Sequence, residues 1–549
     1  MVLPRIPVDA MPSGSLGLHV DHPPFGVPDS PTTGCIRMAG RRRSAPIEER
    51  LRRTWLLRRW MSLVRHRSST SRRVSGQPVL RHRTALVRQG LSMPTKQALL
   101  DGVIQTEMSV LDFGSGRGGD VERLQSMGFD VQGWDPHWAK DTVPTRHDAV
   151  LLVYVLNVIE DPRERNDTLR RAWALADQVL IVSTRLSWER HKLTGTPSAD
   201  GTLTSRQTFQ RLFRPRELRD LVESVTGART AAGAPGVVYA FKSERQRLRF
   251  LAHRVAGQGV WLTGEDEASA LAAVIDYFER RGRLPAIEEY PDHLLPLLRH
   301  VRQGELRRLV IQGAAPERVE RGRTKAILDT LLFLGVSAFV GRPKPSELPL
   351  SVQLDLRACF DSYREACARA DRLLLKLRDD SYVRGAMRNS VGKLTPTALY
   401  VHRRATEHMP VVLRLYEHCG AVAAGRPDGW DVLKLNHSGR QVSWSAYPDF
   451  DTDPHPRLAW SYAVSMSTLD AVHTSYEERA NRPLLHRKEE FVSPDDPAVP
   501  KYRRLTAQEV RAGLYERPEV IGLEKGWKDE LARCGVELRG HRLVRRPAD

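Results

Sequence analysis

The chain has 549 residues, of which 41% are hydrophobic and 28% are charged; this composition fits several globular domains and excludes collagen-like, disulfide-scaffold and wholly disordered proteins. The five scattered cysteines contain no C-x-x-C pair and so give no sign of a disulfide framework or a cysteine zinc site. The net charge of +19 favours an anionic partner such as nucleic acid.

Residues 1–78 form an arm rich in Arg and Pro, which we predict to be mostly disordered because no sustained helical or alternating pattern runs through it. The stretch 52–64 is the exception, since its apolar residues share one helical face. Residues 41–90 hold 15 Arg and only two Glu, so most of the excess positive charge lies in or beside the arm.

The longest apolar runs are about half of the roughly 18 residues that a membrane-spanning helix needs. The first 30 residues also lack the continuous apolar core of a signal peptide. These two observations predict a cytoplasmic protein without a membrane partner.

Residues 79–245 alternate short apolar runs with amphipathic stretches, the pattern of an α/β domain with a parallel sheet. A helix is predicted at 120–127, and another begins where Asp161, Pro162 and Glu164 form a helix start. The predicted strands are 109–113, 130–134, 149–155, 179–183 and 237–241. Only 13 positions separate Asp135 from Asp148, too few for the helix, strand and helix that usually intervene, so we expect a compact sheet without one outer strand.

The strongest chemical signal is the glycine loop V-L-D-F-G-S-G-R-G-G-D at 110–120, which joins a strand to a helix. Gly114, Gly116 and Gly118 let the backbone turn sharply and approach a ligand with its N–H groups. Asp135 ends the next strand, where its carboxylate can accept both hydroxyls of a ribose. Together these residues predict a site for an adenosine-containing cofactor.

Two cofactors fit this loop, because Gly114, Gly116 and Gly119 also match the G-x-G-x-x-G pattern of dinucleotide sites. Asp112 favours S-adenosylmethionine, since a carboxylate at the strand end would repel a pyrophosphate but suits an ammonium group. The arrangement D-x-G-x-G-x-G is similar to the first motif of class I methyltransferases. A fold that no longer binds any cofactor is the remaining alternative.

The end of the third predicted strand faces the reacting methyl group in this fold, because ligands bind outside the carboxyl ends of parallel strands. Asn157 is therefore the candidate catalytic residue, although it equally fits a side chain that caps the following turn. Neither the Pro-Pro-aromatic run of amino-methylating DNA enzymes nor a Pro-Cys dipeptide occurs here. Trp134, His137 and Tyr154 are candidate adenine contacts, with core or rim packing as the alternative.

Two further regions follow the cofactor domain. Residues 246–385 form a predicted helical region, in which apolar residues from Leu356 to Leu374 recur at helical spacing along one stripe. Residues 386–549 have a mixed texture with strand-like runs at 397–401 and 442–446, and we predict an α+β C-terminal domain. The expected fold is thus α/β: a class I (Rossmann-like) methyltransferase domain, a helical middle region and an α+β domain.

Several stretches along the chain resemble one family, the methyltransferases associated with DNA phosphorothioation. The stretches are R-H-R-T-A from Arg81, L-S-M-P from Leu91, the glycine loop, G-W-D-P, V-L-N-V-I-E-D-P, V-G-K-L-T-P-T-A-L-Y-V-H from Val391, Y-P-D-F-D-T-D-P-H-P from Tyr447 and L-H-R-K-E-E-F-V-S-P from Leu485. The resemblance covers about 79–540; Phe113 and Ser115 stand where the family usually has Tyr and Cys. It implies an accessory methyltransferase in a DNA sulfur-modification defence system, with DNA and other phosphorothioation proteins as partners.

An acidic cluster, Asp449, Asp451, Asp453 and His455, is similar to a hard-cation site. The prolines around it fit a solvent-exposed loop equally well, and we predict no metal site.

We also predict that residues 386–549 select the substrate. In this hypothesis basic side chains meet phosphates and aromatic side chains stack on a base; the residues are Lys393, Arg457, Arg487, Lys488, Trp444, Tyr447 and Trp460. Two alternatives remain for the whole chain: a non-catalytic module that binds S-adenosylmethionine, and a nucleic-acid-binding scaffold.

Overall fold

The computed structural model describes residues 79–256, 262, 266–298 and 301–546. The arm at 1–78, with its predicted helix at 52–64, lies outside the described residues. All described residues belong to one compact unit, Ser71–Asp549.

The first part of the chain builds a six-stranded sheet with a small inserted sheet. Its strands in chain order are β1 (Ser109–Phe113), β2 (Asp130–Trp134), β3 (His147–Val153), β4 (Ala176–Ser183), β5 (Gly195–Ser198), β6 (Gly201–Thr204), β7 (Phe209–Gln210), β8 (Thr230–Ala232) and β9 (Val237–Phe241). Its helices are α1 (Met93–Leu100), α2 (Gly119–Ser126), α3 (Pro162–Leu175) and α4 (Pro215–Thr226).

The strands of the larger sheet lie in the order β2-β1-β3-β4-β9-β8. β1 to β4 are parallel, whereas β9 runs antiparallel to both β4 and β8. This is the strand order of a class I methyltransferase without the strand outside β2, so the predicted Rossmann-like α/β fold is confirmed. Within the described residues β2 is an edge strand, as the short spacing after Asp135 predicts.

Local sequence signals set the ends of several elements. The Asp161 side chain accepts a 2.8 Å hydrogen bond from the Arg163 N–H, and Pro162 opens α3. Glu164 does not complete the predicted capping arrangement; its carboxylate instead binds Arg81. β3 ends at Val153, two residues earlier than predicted, because Tyr154 takes a left-handed backbone conformation (φ 58°) and leaves the sheet.

Helices dominate the next part of the chain, as predicted. They are α5 (Glu244–Ala256), α6 (Glu267–Arg281), α7 (Leu295–Leu298), α8 (Gln303–Gly313), α9 (Pro316–Val340), α10 (Leu350–Cys359), α11 (Tyr363–Lys376) and α12 (Asp380–Arg388). The predicted apolar stripe runs over two helices, because α10 ends at Cys359 and α11 begins after Ser362, whose hydroxyl caps it.

The last part contains a second sheet, which is an antiparallel meander in the order β10-β11-β12-β13-β14-β15. Its strands are β10 (Lys393–Leu394), β11 (Ala398–His402), β12 (Val432–Asn436), β13 (Gln441–Ala446), β14 (Trp460–Ser465) and β15 (Ala471–Ser475), followed by a hairpin of β16 (Val536–Leu538) and β17 (Leu543–Arg545). Its helices are α13 (Val411–Ala424), α14 (Val499–Arg511) and α15 (Glu524–Arg533). The two strands predicted at 397–401 and 442–446 correspond to β11 and β13.

The helix α13 packs against both halves of the molecule. Leu415 and Cys419 belong to the same buried cluster as residues of β1 and β3, whereas Val412 and Tyr416 belong to the cluster under the second sheet. A methyl group on Gly425, just after α13, would lie 2.5 Å from the carbonyl carbon of Ala234. The hydrophobic core is therefore continuous across the predicted region boundaries at 245 and 385.

In the part of the chain that the structure describes, we find no helix that combines the length and the apolar character needed to cross a bilayer.

Candidate functional site

The glycine loop connects the carboxyl end of β1 to the amino end of α2. Gly114 has a φ of 98°, and a methyl group there would lie 2.4 Å from Cγ2 of Val155. Gly118 has a φ of 80°, and a methyl group there would meet nothing within 4 Å. Only glycine fits both positions without strain, and the loop leaves open space beside the first N–H groups of α2, where a ligand can approach the backbone.

Asp135 holds this loop in place. Its Oδ2 accepts a 3.0 Å hydrogen bond from the Gly116 N–H, and its Oδ1 accepts from the N–H groups of His137 (2.8 Å) and Trp138 (2.9 Å). A carboxylate offers about four lone pairs, so roughly one remains, on Oδ2. The prediction that Asp135 accepts both ribose hydroxyls is therefore corrected: the carboxylate has room for one.

Asp112 is a buried acid at the end of β1, only 5% exposed. Burial, with the nearby carboxylates of Asp120 and Asp135, raises the pKa of Asp112 to about 8, against the opposing charge of Arg88. Asp120 is stabilised by hydrogen bonds from the Ser92 N–H (2.8 Å) and the Thr95 hydroxyl (2.7 Å). The Asp112 carboxyl has no hydrogen bond or ion pair among the described residues, so it is available to pair with an ammonium group.

We expect the affinity for S-adenosylhomocysteine, a stable analogue of the predicted cofactor, to depend on pH through Asp112. The protonated carboxyl must lose its proton before it pairs with an ammonium, so binding should strengthen as the pH rises from 6 towards the pKa of about 8 and then level off. The change should be at most about tenfold per pH unit. Calorimetry on the wild type and on Asp112→Asn checks this, because the variant keeps only the pH dependence of the ligand itself; identical profiles for the two proteins would contradict the assignment.

The three predicted adenine contacts have different surroundings. Trp134 packs on Phe113, with ring centroids 4.4 Å apart, and under the guanidinium of Arg171, which places it on the α3 side of the sheet. The ring of His137 stacks on His82 at 4.2 Å. Tyr154 lies at the end of β3, 5.6 Å from the guanidinium carbon of Arg88.

Trp138 is an aromatic residue at the rim that the sequence reasoning missed. It is 41% exposed, and the Arg117 guanidinium carbon lies 4.3 Å from its ring centroid. It follows β2, on the side where the outer strand is missing. Its position three residues after Asp135 is a signal that could have identified it.

Asn157 is buried, with 2% exposure. Its Nδ2 donates a 3.2 Å hydrogen bond to Oε1 of Gln210, and its backbone carbonyl accepts from the Arg211 N–H at 2.7 Å. Its Oδ1 has no partner among the described residues. The inserted sheet β5–β7 thus packs over the end of β3, and this contact favours the packing interpretation of Asn157; its catalytic role stays a prediction.

A segment at 79–91, which we call the strap, crosses the carboxyl edge of the sheet. Arg81 binds Glu160 (2.8 Å) and Glu164 (2.6 Å), beyond the end of β3. Ala85 lies so close to Gly116 that a methyl group on the glycine would be 3.1 Å from the Ala85 Cβ. The sequence reasoning did not find the strap, because it has no periodic pattern and its contacts are distant in sequence.

Three of the four members of the acidic cluster at 449–455 are bound by other protein groups. Asp451 pairs with Arg404 at 2.9 Å, Asp453 accepts the His455 N–H at 2.9 Å, and His455 pairs with Glu509 at 2.7 Å. Within the described ranges no group of three or more His, Cys, Asp or Glu side chains is placed to hold a metal ion.

The structure corrects part of the predicted DNA contact at 386–549. Trp444 is fully buried, and Lys488 is 2% exposed and donates to the carbonyls of Phe450 and Asp453, both at 2.7 Å. Neither side chain can contact a nucleic acid. The remaining basic residues named in that prediction are paired with acids: Lys393 and Arg487 with Glu490, and Arg457 with Glu524.

Known proteins match this chain only in part and at low identity. No protein-family model matches the chain, and no curated protein matches it. Among solved structures, the 1,6-didemethyltoxoflavin-N1-methyltransferase of Burkholderia thailandensis is similar at 18% identity over 37% of this chain and 93% of that chain, with a TM-score of 0.19. The magnesium protoporphyrin IX methyltransferase of Synechocystis PCC 6803 is similar at 16% identity over 37% of this chain and 100% of that chain, with a TM-score of 0.19.

Proposed function

We propose that the chain is an S-adenosylmethionine-dependent methyltransferase. The observation that carries the proposal is the meeting of Asp112, the glycine loop and Asp135 at the carboxyl edge of a sheet with class I strand order. Ligands of such sheets bind at this edge. A dinucleotide fits less well, because its pyrophosphate offers no cation to pair with the buried carboxyl group of Asp112.

Each of these residues has a distinct task at the site. The loop, with its open space at Gly118, admits the adenosine part, and Asp135 accepts one ribose hydroxyl while it fixes Gly116. Asp112 binds the ammonium group. The cofactor supplies an activated methyl group, and the protein contributes the orientation of donor and acceptor and the exclusion of water.

The acceptor that we propose is DNA, in the context of phosphorothioate modification, and the resemblance described above is the reason for that choice. Exposed basic residues beside the carboxyl edge support an acceptor that carries phosphates. They lie in the glycine loop, in the turn after β4 and in the inserted sheet: Arg117, Arg190, Lys192 and Arg206.

The proposal is tested by incubating the protein with labelled S-adenosylmethionine and DNA, with and without phosphorothioates, followed by nucleoside analysis. We expect label in DNA and retention of S-adenosylhomocysteine by the protein. Binding of the nucleoside without any transfer would favour a non-catalytic accessory module instead, in agreement with the burial of Asn157. Absence of binding would remove the proposal altogether.

We expect Arg190→Glu with Lys192→Glu to weaken DNA binding by at least about tenfold at low salt. The salt dependence of binding should also fall, because a protein that makes fewer phosphate contacts releases fewer counterions when it binds. Arg245→Glu with Arg249→Glu on α5 is the matched control, since it makes the same change of charge on exposed residues away from the carboxyl edge. Equal losses in both variants would show that only the net charge matters and would argue against a DNA surface at this edge.

A further inference from the structure

Arg88 lies in the second half of the strap, and the chain is anchored on both sides of it. Before Arg88, Arg81 pairs with Glu160 and Glu164. After it, the Ser92 N–H donates to Asp120 of α2 at 2.8 Å. These two anchors hold the backbone of residue 88 across the carboxyl edge of the sheet.

The carbonyl of Arg88 adds a third anchor. It accepts a hydrogen bond from the Arg123 guanidinium, which also donates to the carbonyl of Gly119. Arg123 lies on α2, the helix that the glycine loop opens. The backbone of Arg88 is therefore tied to the same helix end that the loop presents to a ligand.

The side chain of Arg88 lies beside Tyr154, just beyond the carboxyl end of β3, which pairs with β1. Its guanidinium carbon lies 5.6 Å from the ring centroid of Tyr154, and its charge acts on Asp112 as well as on Tyr154. Among the described residues the guanidinium has no hydrogen bond or ion pair, and Asp112 has none either. A cation and a buried acid thus border one space without bonding to each other.

This pair of groups, a guanidinium and a carboxyl, matches one part of the proposed cofactor. The amino-acid end of S-adenosylmethionine carries an ammonium and a carboxylate on the same carbon atom. A site for it therefore needs an acidic side chain for the ammonium and a basic side chain for the carboxylate, a short distance apart. A guanidinium is the best side chain for a carboxylate, because it can donate two parallel hydrogen bonds. Lysine or a neutral donor would lack this geometry.

We infer that Arg88 binds the carboxylate of the cofactor while Asp112 binds its ammonium group, which makes the strap part of the cofactor site. The inference rests on the proposed function and adds a residue that the glycine-loop motif does not contain. Arg88 is then a specificity residue for the amino-acid end of the ligand. The strap also covers that end once it is bound.

The test compares two nucleosides by calorimetry on the full chain: S-adenosylhomocysteine, and 5′-methylthioadenosine, which lacks the amino-acid end. We expect Arg88→Ala to weaken S-adenosylhomocysteine binding by about ten- to a hundredfold and to leave 5′-methylthioadenosine binding unchanged. Arg88→Lys should recover part of the loss. Arg83→Ala is the matched control, since it removes another exposed arginine of the same strap, and we expect it to bind both nucleosides as the wild type does.

Two outcomes would overturn the inference alone. One is equal S-adenosylhomocysteine affinity in Arg88→Ala and wild type. The other is an equal loss of affinity for both nucleosides in Arg88→Ala, which would indicate a general disturbance of the strap. If the wild type binds neither nucleoside, the proposed function fails and the inference fails with it. Thermal unfolding of each variant shows whether the fold is retained.

Discussion

Replacing Asp135 by alanine is expected to weaken binding of S-adenosylhomocysteine by about a hundredfold or more. The substitution removes the acceptor for a ribose hydroxyl, and a hydrogen bond to a charged group contributes about 1.5–3 kcal/mol. It also removes the acceptor for the N–H groups of Gly116, His137 and Trp138, so the glycine loop loses the contact that shapes it. The second effect adds to the first, because a loop that must be ordered on binding costs affinity.

Calorimetry on three variants separates these contributions. Asp135→Asn keeps one acceptor oxygen but places an amide N–H against a backbone donor, and we expect a loss between those of wild type and alanine. Asp141→Ala is the control, since Asp141 is an exposed acid on the same side of the sheet, and its loss should leave the affinity unchanged. Wild-type affinity in Asp135→Ala would show that the nucleoside does not bind at the end of β2.

Much of this site could be predicted because it is local in sequence. The glycine loop, Asp112 and Asp135 lie within two strands and one helix, and their spacing alone indicates the edge at which they meet. The bounds of β1, β2 and β9 also follow from short apolar runs between turn residues. The hydrogen-bond donors to the Asp135 carboxylate could not be predicted in this way, since they depend on how the loop folds back onto it.

The residues that the sequence did not reveal act through contacts distant along the chain. Arg88 and Arg81 belong to a strap without periodicity, and Arg81 meets Glu160 across 79 positions. Trp444 was predicted to stack on a base because aromatic residues suit both interfaces and cores. Its complete burial and its 3.1 Å hydrogen bond to the buried carboxylate of Glu417 identify it as a core residue.

Replacing Glu417 by alanine is expected to lower the free energy of unfolding strongly. Glu417 lies on α13, is 4% exposed, and accepts from the Trp444 indole and from two nitrogens of Arg426 at 2.8 and 2.7 Å. Although burial favours the protonated acid, Arg426 and His418 hold the pKa of Glu417 below its ordinary value, so it is charged at neutral pH. Glu417→Ala leaves a partly buried guanidinium and a buried indole N–H without their acceptor, and removing one partner of a buried ion pair costs about 3–5 kcal/mol.

We expect this loss to reach the cofactor site, because α13 contributes Leu415 and Cys419 to the core beneath β1 and β3. Urea unfolding followed by tryptophan fluorescence and, in parallel, by S-adenosylhomocysteine binding should give one transition, shifted to lower urea for both signals. Glu407→Ala, which removes an exposed acid from the turn before α13, is the control and should change the free energy of unfolding by no more than about 0.5 kcal/mol. Two separate transitions, with binding preserved through the first, would show instead that residues 386–549 fold independently, and substrate selection by that region could then be tested on the isolated parts.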